Sequence, residues 1–142
     1  STLVANTGVL QVQKTIDVPV RMIDNVLVDK NISPNVFSLV KIDVEGYEYF
    51  ALKGMQSVLK ARKARFIVEN NPPAQKALGV SMQDILNDFF YPYGYTIFWI
   101  GSKSNRSFFY KKQVHIIPIT SGNVHLFENK SGDFLAVPSD SL

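Results

Sequence analysis

Lys41, Asp43 and Glu45 occupy alternate positions and set one ammonium and two carboxylates just before Gly46, in an otherwise apolar stretch. Side chains alternate along a strand, so these three fall on one side, while Ile42 and Val44 fall on the other. Burying that polar side without partners is costly. Two readings meet the cost. In one, Lys41 pairs with a neighbouring acid while Glu45 or Glu48 caps the next helix. In the other, two carboxylates beside a glycine at a strand end act as a general base, or as oxygen ligands for a hard cation such as Mg²⁺. A second polar strand end follows at Glu69-Asn70-Asn71-Pro72-Pro73.

The surrounding pattern supplies the elements that position these groups. Phe37 to Val44 is nearly continuous in apolar residues, as expected of a strand in a parallel sheet covered on both faces. Tyr47 to Lys60 has helical spacing, with Tyr47, Phe50, Ala51, Met55, Val58 and Leu59 on one stripe. Gly54 within that helix costs about 1 kcal/mol relative to alanine and implies close packing. Arg65 to Glu69 reads as a second buried strand, ended by a turn at Asn70 to Pro73. Ser81 opens a helix with a capping-box-like start, apolar at Met82, Ile85, Leu86, Phe89 and Phe90 and ended by Pro92 and Gly94.

Tyr95 to Ile100 is a third strand, followed by a long polar loop through Gln113. Val114 to Ile119, Asn123 to Glu128 and Phe134 to Val137 are further strand candidates, the last two joined by a turn at Asn129 to Asp133. Upstream, Val9 to Met22 alternates loosely as extended segments bent at Pro19, and Ile23 to Leu27 reads as a short helix. Strands alternating with helices imply an α/β fold with right-handed crossovers, in a single domain over residues 1–142. In such a sheet the ligand crevice lies beyond the carboxyl ends of the strands.

Composition narrows the class. Hydrophobic residues make up 46% and charged residues 19%, a globular balance. With no cysteine there is no disulfide framework and no thiolate metal site. No apolar run nears the roughly 20 residues of a membrane span, and no secretion signal is evident. A cytoplasmic protein without a membrane partner is expected. The net charge of +3 is too small to identify a nucleic-acid partner. Lys103, Arg106, Phe108, Phe109, Tyr110, Lys111 and Lys112 mix bases with aromatics, as single-stranded nucleic-acid binders do. The same make-up suits a solvated connection or a substrate lid, and nucleic acid is not the expected partner. His115 and His125 are isolated and read as sheet residues. No metal is assigned.

Four segments occur in order: Val18-Pro-Val-Arg21-Met-Ile-Asp24, Leu39-Val-Lys41-Ile-Asp43-Val-Glu45-Gly46-Tyr-Glu48, Ala51-Leu52-Lys53-Gly54-Met55 and Phe66-Ile-Val-Glu69. Together they resemble the FkbM-type methyltransferases dependent on S-adenosylmethionine. That family's pattern runs V-x-V-x-x-L-D, K-I-D-x-E-G-x-E and L-x-G, with a glutamate ending the next strand. Ile23 stands where the pattern has leucine.

The resemblance implies a Rossmann-like methyltransferase sheet from its fourth strand onward, three-layered, with antiparallel C-terminal strands. Phe37 to Val44 is then the fourth strand and Arg65 to Glu69 the fifth. It implies O-methyl transfer from S-adenosylmethionine to a hydroxyl of a sugar, glycan or secondary metabolite. Asp43 and Glu45 become the catalytic candidates, with Asp43 also facing the cofactor. Lys41, Glu69 and Asn70 become substrate-binding candidates, and Glu48 favours the helix N-terminus.

The family's cofactor turn, D-x-G-A-N-x-G, does not occur in the sequence, and Ala5-Asn6-Thr7-Gly8 lacks the leading Asp-x-Gly. The chain is therefore expected to hold the later part of the domain. The competing expectation is a folded, non-catalytic fragment that pairs as a homodimer through the exposed edge of its first strand and binds no cofactor alone. Asn70 to Pro73 resembles the N-P-P-aromatic motif of amino-methylating enzymes, but Ala74 replaces the aromatic.

Overall fold

Residues 17–103 and 113–142 are described by the computed structural model. Five strands, β1 (Leu39–Ile42), β2 (Arg65–Asn70), β3 (Tyr95–Lys103), β4 (Gln113–Ile119) and β5 (Gly132–Pro138), form one sheet in the order β1-β2-β5-β3-β4. β1 and β2 are parallel, and β5 runs antiparallel to both β2 and β3. β4 closes the far edge antiparallel to β3. Two-residue periodicity turns Phe66 and Val68 of β2, Phe134 and Ala136 of β5, and Tyr95 and Ile97 of β3 onto one face, where all are buried.

Helices α1 (Ile23–Asp29), α2 (Glu48–Lys53), α3 (Gln56–Ala61) and α5 (Met82–Ile85) cover that face. They contribute Leu27, Leu52, Val58, Leu59, Met82 and Ile85 to one core cluster. Phe90 anchors it, edge-on to Phe66 and Tyr95 at 5.5 Å and to Phe134 at 5.7 Å between ring centroids. The opposite face carries Lys41, Ile67, Glu69, Leu135 and Phe98. No helix among the described residues adds to that face the third layer expected from the sequence. Nor is any helix among them long and apolar enough to cross a membrane. Within the described residues β1 pairs with β2 alone, and Leu39 on that edge is 56% exposed.

Several expectations are corrected. The strand expected over Phe37 to Val44 spans only Leu39–Ile42, because the Val44 N–H turns away from the sheet to a side chain, as described below. The single helix expected over Tyr47 to Lys60 is two. Gly54 ends α2, and Asp24 of α1 takes the Ser57 N–H at 3.2 Å and its hydroxyl at 2.6 Å, fixing the start of α3. Asn70 to Pro73 is not merely a turn. Asn71 caps helix α4 (Pro72–Ala77), accepting from the Ala74 N–H at 3.4 Å, and prolines in the first turn give up only N–H groups a helix leaves unpaired.

The capping box is present at Ser81 and Asp84, but the helix passes into a π-helical turn at Leu86–Phe90. Asn123 to Glu128 is not a strand: Val124–Leu126 form a 3₁₀ turn, with Val124 and Phe127 buried at helical spacing. His125 therefore lies in a turn, while His115 is in β4 as expected. Of the extended reading of Val9 to Met22, residues 17–22 pair in no strand, and Met22 has an extended backbone. Its remainder and most of the basic aromatic loop lie outside the described residues.

Candidate active site at the carboxyl ends of two parallel strands

The register of β1 on β2 ends with Ile42 beside Val68, which brings the next residues, Asp43 and Glu69, together where both strands stop. Glu69 in turn lies opposite Asp133 of β5. Glu45 joins them from the turn after β1. Carboxylate oxygens of Asp43, Glu45 and Glu69 lie within 4.8 Å of one another. Three of the four charged candidates for the catalytic and substrate-binding roles thus converge, and the fourth, Lys41, sits directly alongside.

Each carboxylate has a different environment. Lys41 Nζ donates to Asp43 Oδ2 at 2.6 Å, so the ion pair of the first reading is present, and it stands together with the carboxylate cluster of the second. That hydrogen bond, then the opposite charge of each partner, holds the Asp43 carboxyl below the usual aspartate range and the Lys41 ammonium above the usual lysine range. Glu45 Oε2 accepts from Asn71 Nδ2 at 3.2 Å. Glu69 Oε2 is buried with no hydrogen-bonding partner. Burial first, and then the charges of Asp43, Glu45, Glu48 and Asp133, push its carboxyl above the usual glutamate range. One ammonium therefore faces a surplus of negative charge.

The turn after β1 is unusual in its backbone. Glu45 has φ 55° and Gly46 φ 100°, both left-handed. An added Cβ on Gly46 would lie 2.5 Å from Ala74 Cβ, so the turn packs directly on α4 and only glycine fits. Glu48, the first residue of α2, is fully buried. Its Oε1 accepts from the Val44 N–H at 3.1 Å and the Gly46 N–H at 3.0 Å. The helix-capping role expected for Glu45 or Glu48 is thus corrected. Neither side chain caps α2, and Glu48 bonds backwards to the turn.

Asn70, expected to touch substrate, is placed inside the fold. It is fully buried, and its amide donates to the carbonyls of Phe127 at 3.3 Å and Lys130 at 2.8 Å, tying the segment before β5 to β2. Sequence reasoning missed Asn71 and Asp133. Asn71 stands before two prolines, a helix-capping signal, and Asp133 ends a turn-rich segment opposite Glu69. Beyond Asn71 a cleft of about 430 Å³ opens between Pro72, Gln75 and Lys76 on one side and Glu128 and Ser131 on the other.

Chemically, the three carboxylates offer oxygens that could hold a hard cation, or accept protons from a hydroxyl. No curated protein and no solved structure matches the chain. The FkbM methyltransferase domain matches residues 3–97, about two thirds of the sequence, including Lys41, Asp43, Glu45 and Glu69. The chain belongs to the FkbM methyltransferase family.

Proposed function

We propose that the site serves O-methyl transfer from S-adenosylmethionine to an acceptor hydroxyl, with Asp43 at the reacting centre and Glu45 beside it. The observation that carries this reading is the convergence of Asp43, Glu45 and Glu69 where two parallel strands end, the place an α/β sheet reserves for ligands. The strand order supports it further: β5 is inserted antiparallel between β2 and β3, which run in the same direction. That arrangement suits β1 and β2 as the fourth and fifth strands of a Rossmann-like methyltransferase sheet.

The residues fit the cofactor in charge. A sulfonium is cationic, and the cluster has more carboxylates than ammonium groups. Asp43, kept ionised by Lys41, would lie toward it. When bound, the cofactor supplies a methyl carbon already activated for displacement. The protein's own tasks are to align the hydroxyl and receive its proton. Asp43 orients the hydroxyl, Lys41 fixes Asp43, and Glu69 lies within reach of the same group. The acceptor class is a sugar, a glycan or a secondary metabolite.

Calorimetric titration with S-adenosylhomocysteine, followed by a methyl-transfer assay, tests this. Asp43→Asn is expected to keep S-adenosylhomocysteine affinity within about threefold while turnover falls on the order of 100-fold. Unchanged turnover removes Asp43 from the reacting centre.

A further inference from the structure

A glutamate at the first position of a helix ordinarily serves that helix by favouring its N-terminus. Glu48 does more. Its side chain is fully buried, and the helix cap before it makes no side-chain hydrogen bond. Both donors to its Oε1, the N–H groups of Val44 and Gly46, lie outside α2 and bracket Glu45. Glu45 itself holds the left-handed φ of 55° that residues with a Cβ seldom adopt. It does so with two like charges, Asp43 and Glu69, close by. Such a conformation persists only where its surroundings over-determine it. Here they do: Glu48 grips the backbone on either side, Gly46 is wedged on Ala74, and Asn71 takes the Glu45 carboxylate.

We propose that Glu48 is a positioning residue: through the Val44 and Gly46 amides it holds Glu45 in the left-handed turn that brings its carboxylate to Asp43 and Glu69. A merely structural buried acid would have to hold elements together, but both bonds of Glu48 are local, two and four residues back. What they fix is one backbone conformation at the site. The consequence for turnover rests on the methyltransferase reading; the consequence for the turn does not.

The test compares wild type with Glu48→Ala, which removes the acceptor, and Glu48→Gln, which keeps an oxygen for both amides and loses the charge. Amide hydrogen exchange is read at Val44 and Gly46, with Phe66 and Val68 as core references. Glu48→Ala should speed exchange at the two turn amides by about tenfold or more and leave the references within about threefold. In the methyl-transfer assay it should lower kcat on the order of 100-fold with KM for S-adenosylmethionine nearly unchanged, the signature of a displaced group rather than a lost binding contact. Glu48→Gln should restore both readouts.

Unchanged exchange at Val44 and Gly46 in Glu48→Ala overturns the proposal. So does failure of Glu48→Gln to protect them, or wild-type kcat in a variant that has lost the protection. Should Glu48→Ala unfold, Glu48→Asp, one methylene too short for the two amides, takes its place with the same outcomes. A wild-type chain that transfers no methyl group counts against the methyltransferase reading alone, and the exchange pattern still decides whether Glu48 holds the turn.

Discussion

At the end of β1, Asp43 stands exposed beside the Lys41 ammonium and its carboxyl is held below the ordinary range. At the end of β2, Glu69 is half-buried, has an oxygen without a partner, and is pushed above the ordinary range. Two carboxylates within 4.8 Å of each other are thus driven in opposite directions, one by a cation and the other by desolvation. The scaffolds differ in the same sense. The first end is a tight turn shaped by its own neighbours, Glu48 and Gly46, while the second is tied to distant chain by Asn70. Neighbouring acids whose environments push them apart are, on the proposed methyltransferase reading, suited to different tasks.

The largest effect that can break this comparison is at Gly46. Alanine there meets both a left-handed φ of 100° and a Cβ contact of 2.5 Å with Ala74. Gly46→Ala is expected to destabilise the fold by about 3 kcal/mol, strain and overlap together, measured by urea unfolding. A loss below about 1 kcal/mol means the turn relaxes freely and is not a fixed mount for Glu45. The matching change at the other end is Asn70→Ala, which removes the amide donor to the Phe127 and Lys130 carbonyls, although Phe127 keeps its bond from the Lys130 N–H at 2.9 Å. Its expected cost is about 1 kcal/mol by the same measurement, since the lost bond to Lys130 leaves one carbonyl without its partner. Near-neutral behaviour would mean that these two bonds do not hold the second end in place.

The sequence made much of the site legible because the signals are local. Apolar runs at Phe37 to Val44 and Arg65 to Glu69 mark parallel strands, and acids where such runs stop mark their carboxyl ends. Asn70 was also legible in part: the parity that buries Phe66 and Val68 buries Asn70 as well, leaving only Glu69 facing the cluster. Other features depend on partners far along the chain. The break between α2 and α3 rests on Asp24, whose carboxylate reaches Ser57 from α1. The left-handed Glu45 leaves no trace in residue type, because no propensity favours a glutamate there. The contrast between Asp43 and Glu69 is likewise invisible, since it follows from which carboxylate the Lys41 ammonium reaches.

The smallest effect sharpens the comparison most directly, because its sign differs at the two ends. The Glu69 carboxyl lies above its ordinary range when folded, so its contribution to stability is fully present below the ordinary glutamate pKa and is lost as pH rises through the folded value. At neutral pH its ionised form is held where charge is disfavoured. Glu69→Gln removes that charge and should raise stability by about 0.5 kcal/mol at pH 7, with the gain shrinking as pH falls toward about 4.3. Asp43 runs the other way. Its folded carboxyl is depressed, so its contribution is present above the ordinary aspartate range and fades as pH falls through the folded value, and Asp43→Asn should bring no gain at pH 7. Urea unfolding of both variants at pH 7 and near pH 4.5 measures the pair. If Glu69→Gln loses stability at pH 7, Glu69 is held by a further donor, and the contrast between the two strand ends fails.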